Sequence, residues 1–277
     1  MKKNGVKEYY ESEAVVYNQE FYESDSKYPT LRYRQNYILK MIKKLNLSDN
    51  SKILDAGCGP GDLLLSLEQN FESMTGIDIA EEMVSIANKK LETRKNKNIT
   101  FKCGDIENLE FANSEFDLII CSGVVEYLKD DIVWMNEIKR VLKPDGYLIV
   151  NVTNKYSVRK WTSGFVEKLK SFKPFLNFMN FIKMKVLRKG KIHYFPFKPR
   201  LHSPSKFDKY LIKNGFKKIT HNYFDFAILP SPFDTLLGFV TTPVKKSLER
   251  YSERNMKLNG TGYIVCVKRL DGVPREK

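Results

Sequence analysis

Short apolar runs alternate with longer mixed segments through the first 150 residues of the chain. Ile53-Leu54 reads as a buried strand, and the residues after Gly61 read as a helix. Gly76-Ile77-Asp78-Ile79 reads as a second strand, Phe101-Lys102-Cys103 as a third, and Phe116–Cys121 as a fourth. Glu137–Lys143 then gives a helix, Pro144-Asp145-Gly146 a turn, and Tyr147–Val150 a fifth buried strand. Strands alternating with helices predict an α/β protein with a doubly wound, Rossmann-like parallel sheet. Beyond this the pattern is interrupted. It resumes at Ser203-Pro204-Ser205, which starts a helix through about Asn214, with Gly215 as its stop. Phe216-Lys217-Lys218-Ile219 begins a further strand, and Gly262–Val267 reads as the last.

The first strand carries the strongest chemical signal. It ends in an acid, Asp55, and opens into Gly57, Gly59 and Gly61. Glycines at a strand-to-helix turn remove the Cβ atoms that would hold a ligand off the backbone. The following helix points its free N–H groups at the same place. A nucleotide-like cofactor fits this turn; the competing reading is a glycine turn with no ligand. The spacing discriminates between cofactors. A dinucleotide fingerprint is Gly-x-Gly-x-x-Gly, with room for a pyrophosphate, whereas the third glycine here comes one residue earlier. Asp55 would repel a pyrophosphate and would suit a ligand bearing an ammonium or sulfonium group.

This Asp-x-Gly-x-Gly-x-Gly pattern resembles motif I of the class I S-adenosylmethionine-dependent methyltransferases. The likeness continues in register through Asp78, Asp105, the segment Phe116–Tyr127, and Glu137–Val150. The resemblance implies a seven-stranded, mostly parallel sheet with N-terminal helices. It implies S-adenosylmethionine as cofactor and S-adenosylhomocysteine as product. Asp78 would hold the ribose hydroxyls, Asp105 the adenine amino group, and Ile79 and Ile106 the two faces of the adenine. Met83 and Cys121 complete the expected cofactor set. Each acid taken alone also fits a helix cap or a solvated loop charge.

The family pattern suggests the quinone-modifying or glycan-modifying branches, with an oxygen or nitrogen of a small-molecule or lipid-linked acceptor as the target. Glu126 and Tyr127 fall where small-molecule members often carry Glu-His. His202 precedes the Ser-Pro helix start and is the histidine best placed to reach over the strand ends. These three are the catalytic candidates, each with a plain structural alternative. Tyr17, Tyr28 and Arg34 are candidates for the methionine carboxylate, or else they pack the N-terminal helices on the sheet.

Charge changes the picture after strand five. The 277 residues carry a net charge of +14, but residues 151–220 hold 18 Lys or Arg against two acids. The expected organisation is a helical cap at 1–50, a cofactor-binding core at 51–154, a basic insertion at 155–202, and completion of the core at 203–277. Within the insertion Trp161, Phe165, Leu169, Phe172, Leu176 and Met179 recur at helical spacing, with Pro174 breaking or restarting the helix. This basic amphipathic lid either packs on the core with a solvated face, or meets an anionic acceptor or membrane surface. Nucleic acid is not expected, because Cys121-Ser122-Gly123-Val124 lacks the Asn/Asp-Pro-Pro-Tyr/Phe and Pro-Cys signatures of base-modifying families. No apolar run is long enough to span a bilayer, and the charged start Met1–Gly5 does not read as a signal segment. Cysteines 58, 103, 121 and 266 form no Cys-x-x-Cys pair and read as reduced buried thiols, with no metal site expected. The chain therefore reads as a cytoplasmic enzyme, with peripheral contact at the inner membrane surface as an option. The alternative is a non-catalytic, partner- or membrane-associated protein that keeps the cofactor fold.

Overall fold

The computed structural model describes residues 3–19, 29–67, 71–94, 98–157, 174, 177, 181, 198–226, 228–229, 238–254 and 260–270. Two N-terminal helices, α1 (Lys3–Asn18) and α2 (Pro29–Lys44), precede β1 (Lys52–Ala56). Then follow α3 (Asp62–Leu65), β2 (Ser73–Asp78), α4 (Glu81–Glu92), β3 (Ile99–Cys103) and β4 (Phe116–Cys121). A single 3-10 turn, Val125–Tyr127, leads to α5 (Ile132–Val141) and β5 (Leu142–Thr153). The described chain closes with α6 (Pro204–Lys213), β6 (Phe216–Phe226), α7 (Gly238–Glu249) and β7 (Gly260–Arg269).

The seven strands form one sheet in the order β3-β2-β1-β4-β5-β7-β6. Strands β1 to β5 pair in parallel, and β7 runs antiparallel between β5 and β6. Alternation along each strand divides the core in two. Leu54, Ile119, Leu148 and Val150 face α5 and α6, meeting Trp134, Ile138, Phe207 and Leu211. Ile53, Leu118, Ile120 and Ile149 face α2, α3 and α4, meeting Ile38, Met41, Leu64 and Ala87. Both faces of the central strands are thus buried, which explains why they read as unbroken apolar runs. The strand order reverses direction at β1 and β4. A crevice opens there at the carboxyl ends of the strands, the place where such sheets bind ligands.

Two expectations are adjusted. Pro144-Asp145-Gly146 is no separate turn; β5 begins at Leu142, opposite Phe116, and the tripeptide is a register break within the strand. Asp145 absorbs it at φ 60°, a conformation Asp tolerates better than most residues. Cys103 is exposed while the other three cysteines are buried, because β3 is an edge strand. The stripe Trp161–Met179 and Tyr28 lie outside the described residues, apart from Pro174 and Asn177. The ends of the basic segment are described, and they meet. Lys155 N donates to His202 O (3.0 Å) and His202 N to Thr153 O (2.9 Å), so the chain leaves and returns at the carboxyl end of β5. Among the described residues no helix is long and apolar enough to cross a membrane.

Candidate functional site

The turn after β1 is tied to β2 by its backbone. The N–H groups of Gly57 and Cys58 both donate to Ile77 O, at 2.8 and 2.9 Å. Gly57, Gly59 and Gly61 all have positive φ, but their surroundings differ. A Cβ on Gly57 would lie 2.0 Å from Val124 Cγ2, and one on Gly61 would lie 2.7 Å from the Phe101 ring. A Cβ on Gly59 would meet nothing within 4 Å, because it would project into open space. Gly59 is therefore the glycine that keeps a ligand site open. Gly61, expected at the cofactor, instead packs the α3 entrance against β3.

That open space is a cavity of about 290 Å³. Gly57, Gly59, Asp78, Ile79, Met83, Asp105, Ile106, Tyr127, Tyr17 and Arg34 line it, ten of the sixteen residues named from sequence. Asp78 Oδ2 accepts from Gly59 N (2.9 Å) and Oδ1 from Ala80 N (3.0 Å). Burial pushes the Asp78 carboxyl up, and these N–H groups pull it part of the way back. Asp105 Oδ1 accepts from Glu107 N (3.0 Å), which fixes its loop beside Gly104. Ile79 and Ile106 flank the space near these two acids.

Asp55 lines a second, small cavity of about 30 Å³ with Arg34, Gly57, Cys58 and Ser122. Its side chain is 2% exposed and Oδ1 has no hydrogen-bond partner. Burial first, then repulsion from Asp78, pushes this carboxyl up to about 7, with Arg34 opposing. The guanidinium of Arg34 sits directly on Gly123, where a Cβ would come within 2.6 Å of Nη1. Gly123 N in turn donates to Asn151 Oδ1 (2.8 Å), which pins the loop after β4 to β5.

The catalytic candidates separate. Tyr127 lines the cavity. Glu126 and His202 lie behind the loop, outside the cavity lining, and Cys121 is fully buried in β4. Glu126 is buried with Oε2 unpartnered; burial raises its pKa while Arg34, His202 and Arg200 oppose. Arg200 straps this region: its N–H donates to Glu126 O (2.7 Å), and Nη2 donates to Val125 O (2.9 Å) and Asp131 Oδ1 (2.6 Å). His202 Nε2 lies 3.4 Å from Asp131 Oδ2. Burial alone would raise Asp131; His202 and Arg200 outweigh it and hold the carboxyl well below the usual range. His202 thus faces Asp131 without a hydrogen bond to it and does not line the cavity.

Three lining residues from the N-terminal helices were not named from the sequence: Val6 and Tyr10 of α1, and Leu31 of α2. Helix α1 is held down by Glu11, whose two oxygens accept from Glu81 N (2.8 Å) and Glu82 N (3.0 Å). Ala80 stands at the N-cap of α4 and has no side chain able to cap it, so Glu11 supplies the cap from another helix. The one local hint was the tyrosine-rich composition of the N-terminal segment.

A switch-point crevice, two acids at successive strand ends and a glycine turn with an orphaned carboxylate define a doubly wound protein that binds a nucleoside-bearing cofactor. The chain belongs to the methyltransferase-domain family, whose model matches residues 47–215. It is 31% identical over 113 residues to a demethylmenaquinone methyltransferase of Staphylococcus saprophyticus, covering 40% of this chain and 48% of that one. It is 30% identical over 117 residues to a ubiquinone biosynthesis O-methyltransferase of Coxiella burnetii, covering 42% and 50%. The chain spans about half the length of these curated relatives. The fold is also that of magnesium protoporphyrin IX methyltransferase from Synechocystis, solved with bound S-adenosylhomocysteine. There the TM-score is 0.60 at 18% identity, covering 96% of this chain and 99% of that one.

Proposed function

We propose that this protein transfers the methyl group of S-adenosylmethionine to an oxygen or nitrogen of a small-molecule or lipid-linked acceptor. The observation that carries the reading is the set of three carboxylates around one glycine turn. Asp78 and Asp105 face the main cavity, and the orphaned Oδ1 of Asp55 lies in the pocket beside it. Asp78, held by two backbone N–H groups, would accept from a ribose diol, and Asp105 from an adenine amino group. Asp55 and Arg34 offer opposite charges to the ammonium and carboxylate of the methionine end. When bound, the cofactor supplies an electrophilic methyl group on sulfur.

The chain's own contribution is orientation and exclusion of water. Val6, Leu31, Val124 and Leu128 give the cavity apolar walls, and α1 roofs it. Among the described residues no histidine lines the cavity, and of the three catalytic candidates Tyr127 alone does, so an acceptor that keeps its proton near neutrality would find Tyr127 nearest. The 18 basic residues of 151–220 support an anionic acceptor or an anionic surface as the destination of that segment. Salt-sensitive co-sedimentation with anionic vesicles tests the surface.

The deciding experiment supplies methyl-labelled S-adenosylmethionine to the purified protein and an extract of its host. Label should enter organic-soluble or small aqueous products. Asp78→Ala should abolish this and weaken S-adenosylhomocysteine binding by about 2 kcal/mol or more, since hydrogen bonds to a charged group are lost. Label confined to RNA or protein, or no transfer at all, would sink the proposal.

A further inference from the structure

A second cavity, of about 660 Å³, opens away from the cofactor turn. It lies between α2, β6 and the residues that follow α7, and it shares no lining residue with the cofactor cavity. Helix α2 serves both. Leu31 and Arg34 line the first cavity, whereas Tyr33, Tyr37, Lys40 and Lys44 line the second. The floor of the second is buried yet polar, where packing alone favours apolar groups. Asn222 and Ser252 there are 5% and 4% exposed. Asn222 Nδ2 donates to Ser252 Oγ (2.9 Å), and Tyr223 N donates to Ser252 O (2.8 Å), which ties the segment after α7 to β6. Ser252 also hydrogen-bonds the Tyr37 phenol, whose O–H donates to Glu249. The Glu249 carboxylate is thus engaged within the floor.

The rim is basic. Lys40, Lys44, Arg250 and Arg254 stand against Glu249 and Glu253. Lys44 pairs with Glu253 at 3.5 Å. Lys40 and, from behind the lining, Asp225 act on Glu249 through space only. Among the described residues no ion pair joins Lys40, Arg250 or Arg254 to a carboxylate. Arg254 instead stacks on Tyr251, its guanidinium carbon 4.7 Å from the ring centroid. A guanidinium held this way keeps its N–H edges free for a ligand.

From this arrangement we infer that the second cavity binds a small phosphorylated polyol, of the sugar phosphate class. Free guanidinium groups take phosphate oxygens through paired N–H bonds. The amides and hydroxyls of Asn36, Thr220, Asn222 and Ser252 match the hydroxyl groups of a polyol. An apolar guest would strip water from these groups and return no hydrogen bonds, and a cationic guest would meet the basic rim. The volume falls within the roughly 300–1,000 Å³ of small-molecule sites. Because the two cavities have no wall residue in common, this ligand is not the methyl acceptor, and the site is independent of the methyltransferase reading.

The test titrates the full chain calorimetrically with glucose 6-phosphate, glucose and inorganic phosphate, with S-adenosylhomocysteine present to occupy the first cavity. Glucose 6-phosphate should bind at one site per chain, about tenfold or more tightly than glucose or inorganic phosphate. Arg250→Ala and Arg254→Ala should each weaken it about tenfold, and Arg254→Lys should not restore it, because the paired N–H geometry is gone. Lys246→Ala, which removes an exposed lysine of α7 outside the lining, should leave it unchanged. Melting temperature and S-adenosylhomocysteine affinity report the folding of each variant, and Lys40→Ala repeats the test from α2 if an arginine variant misfolds. No binding of the sugar phosphate, equal binding of glucose or of inorganic phosphate, unchanged affinity in the arginine variants, or equal weakening by Lys246→Ala would overturn the inference.

Discussion

Asp55 should couple cofactor binding to proton release. Its carboxyl is buried, has an unpartnered oxygen, and is pushed up to about 7. The sign follows from the direction of the shift. A carboxyl raised above its unfolded value holds a proton in the folded state that the unfolded chain gives up. Its contribution to stability is complete below about pH 4 and is lost as pH rises through about 7. An ammonium group entering the pocket that Asp55 shares with Arg34 and Ser122 favours the ionised form, so binding at low pH must expel that proton. With a pKa of about 7, roughly nine in ten copies are protonated at pH 6. About 0.9 proton should therefore leave on binding at that pH, and affinity should rise about tenfold between pH 6 and pH 8. The assay is calorimetric titration of S-adenosylhomocysteine in two buffers of different ionisation enthalpy. The dependence of the observed heat on buffer counts the protons released. Asp55→Asn should flatten the profile and weaken binding at pH 8 about tenfold or more, because a charge-assisted hydrogen bond is gone. Asp78 and Glu126 are also raised by burial, so the flattening in Asp55→Asn is what assigns the effect. Buffer-independent heats at pH 6, or a profile that survives the substitution, would refute the reasoning.

Two further outcomes follow from the same geometry. Gly57→Ala should destabilise the fold by about 3 kcal/mol, combining left-handed strain with the Val124 collision. Gly59→Ala meets no collision and should cost only the left-handed strain, about 1 kcal/mol, while cutting cofactor affinity; identical behaviour of the two variants in paired melting and calorimetry experiments would contradict these separate roles. Glu11→Ala removes the cap on α4 and should cost about 1 kcal/mol. It should also speed S-adenosylhomocysteine release severalfold, because α1 roofs the cavity; stopped-flow dissociation at the wild-type rate would show that the contact does not hold the roof.

Much of this protein is written locally in its sequence. Asp55 and Asp78 stand at the carboxyl ends of β1 and β2, and Asp105 just beyond β3, so these acids announce themselves in the sequence. In a parallel sheet those ends converge on one edge, and three separate local signals become one site. The helix of Pro204–Lys213, with Ser203 before it and Gly215 after it, was legible for the same reason: its start and stop signals lie within a few residues.

Contacts between distant segments were decided only by the tertiary structure. That β7 inserts antiparallel between β5 and β6 depends on pairing partners dozens of residues apart, which periodicity does not encode. The three glycines look equivalent in the chain, yet Phe101 crowds Gly61 while Gly59 faces open space at the cavity. His202 and Glu126 stand near the site in sequence logic but lie behind the loop, where His202 N donates to Thr153 O and Arg200 N to Glu126 O. Tyr10 and Glu11 carry no motif of their own. Their places are set because α1 packs on α4, where Ala80 leaves two N–H groups to be capped by a side chain from 70 residues away. The strand-end acids that line the cavity are signalled locally in the sequence. The walls around them are assembled from the helices that cover them, and that is a property of packing.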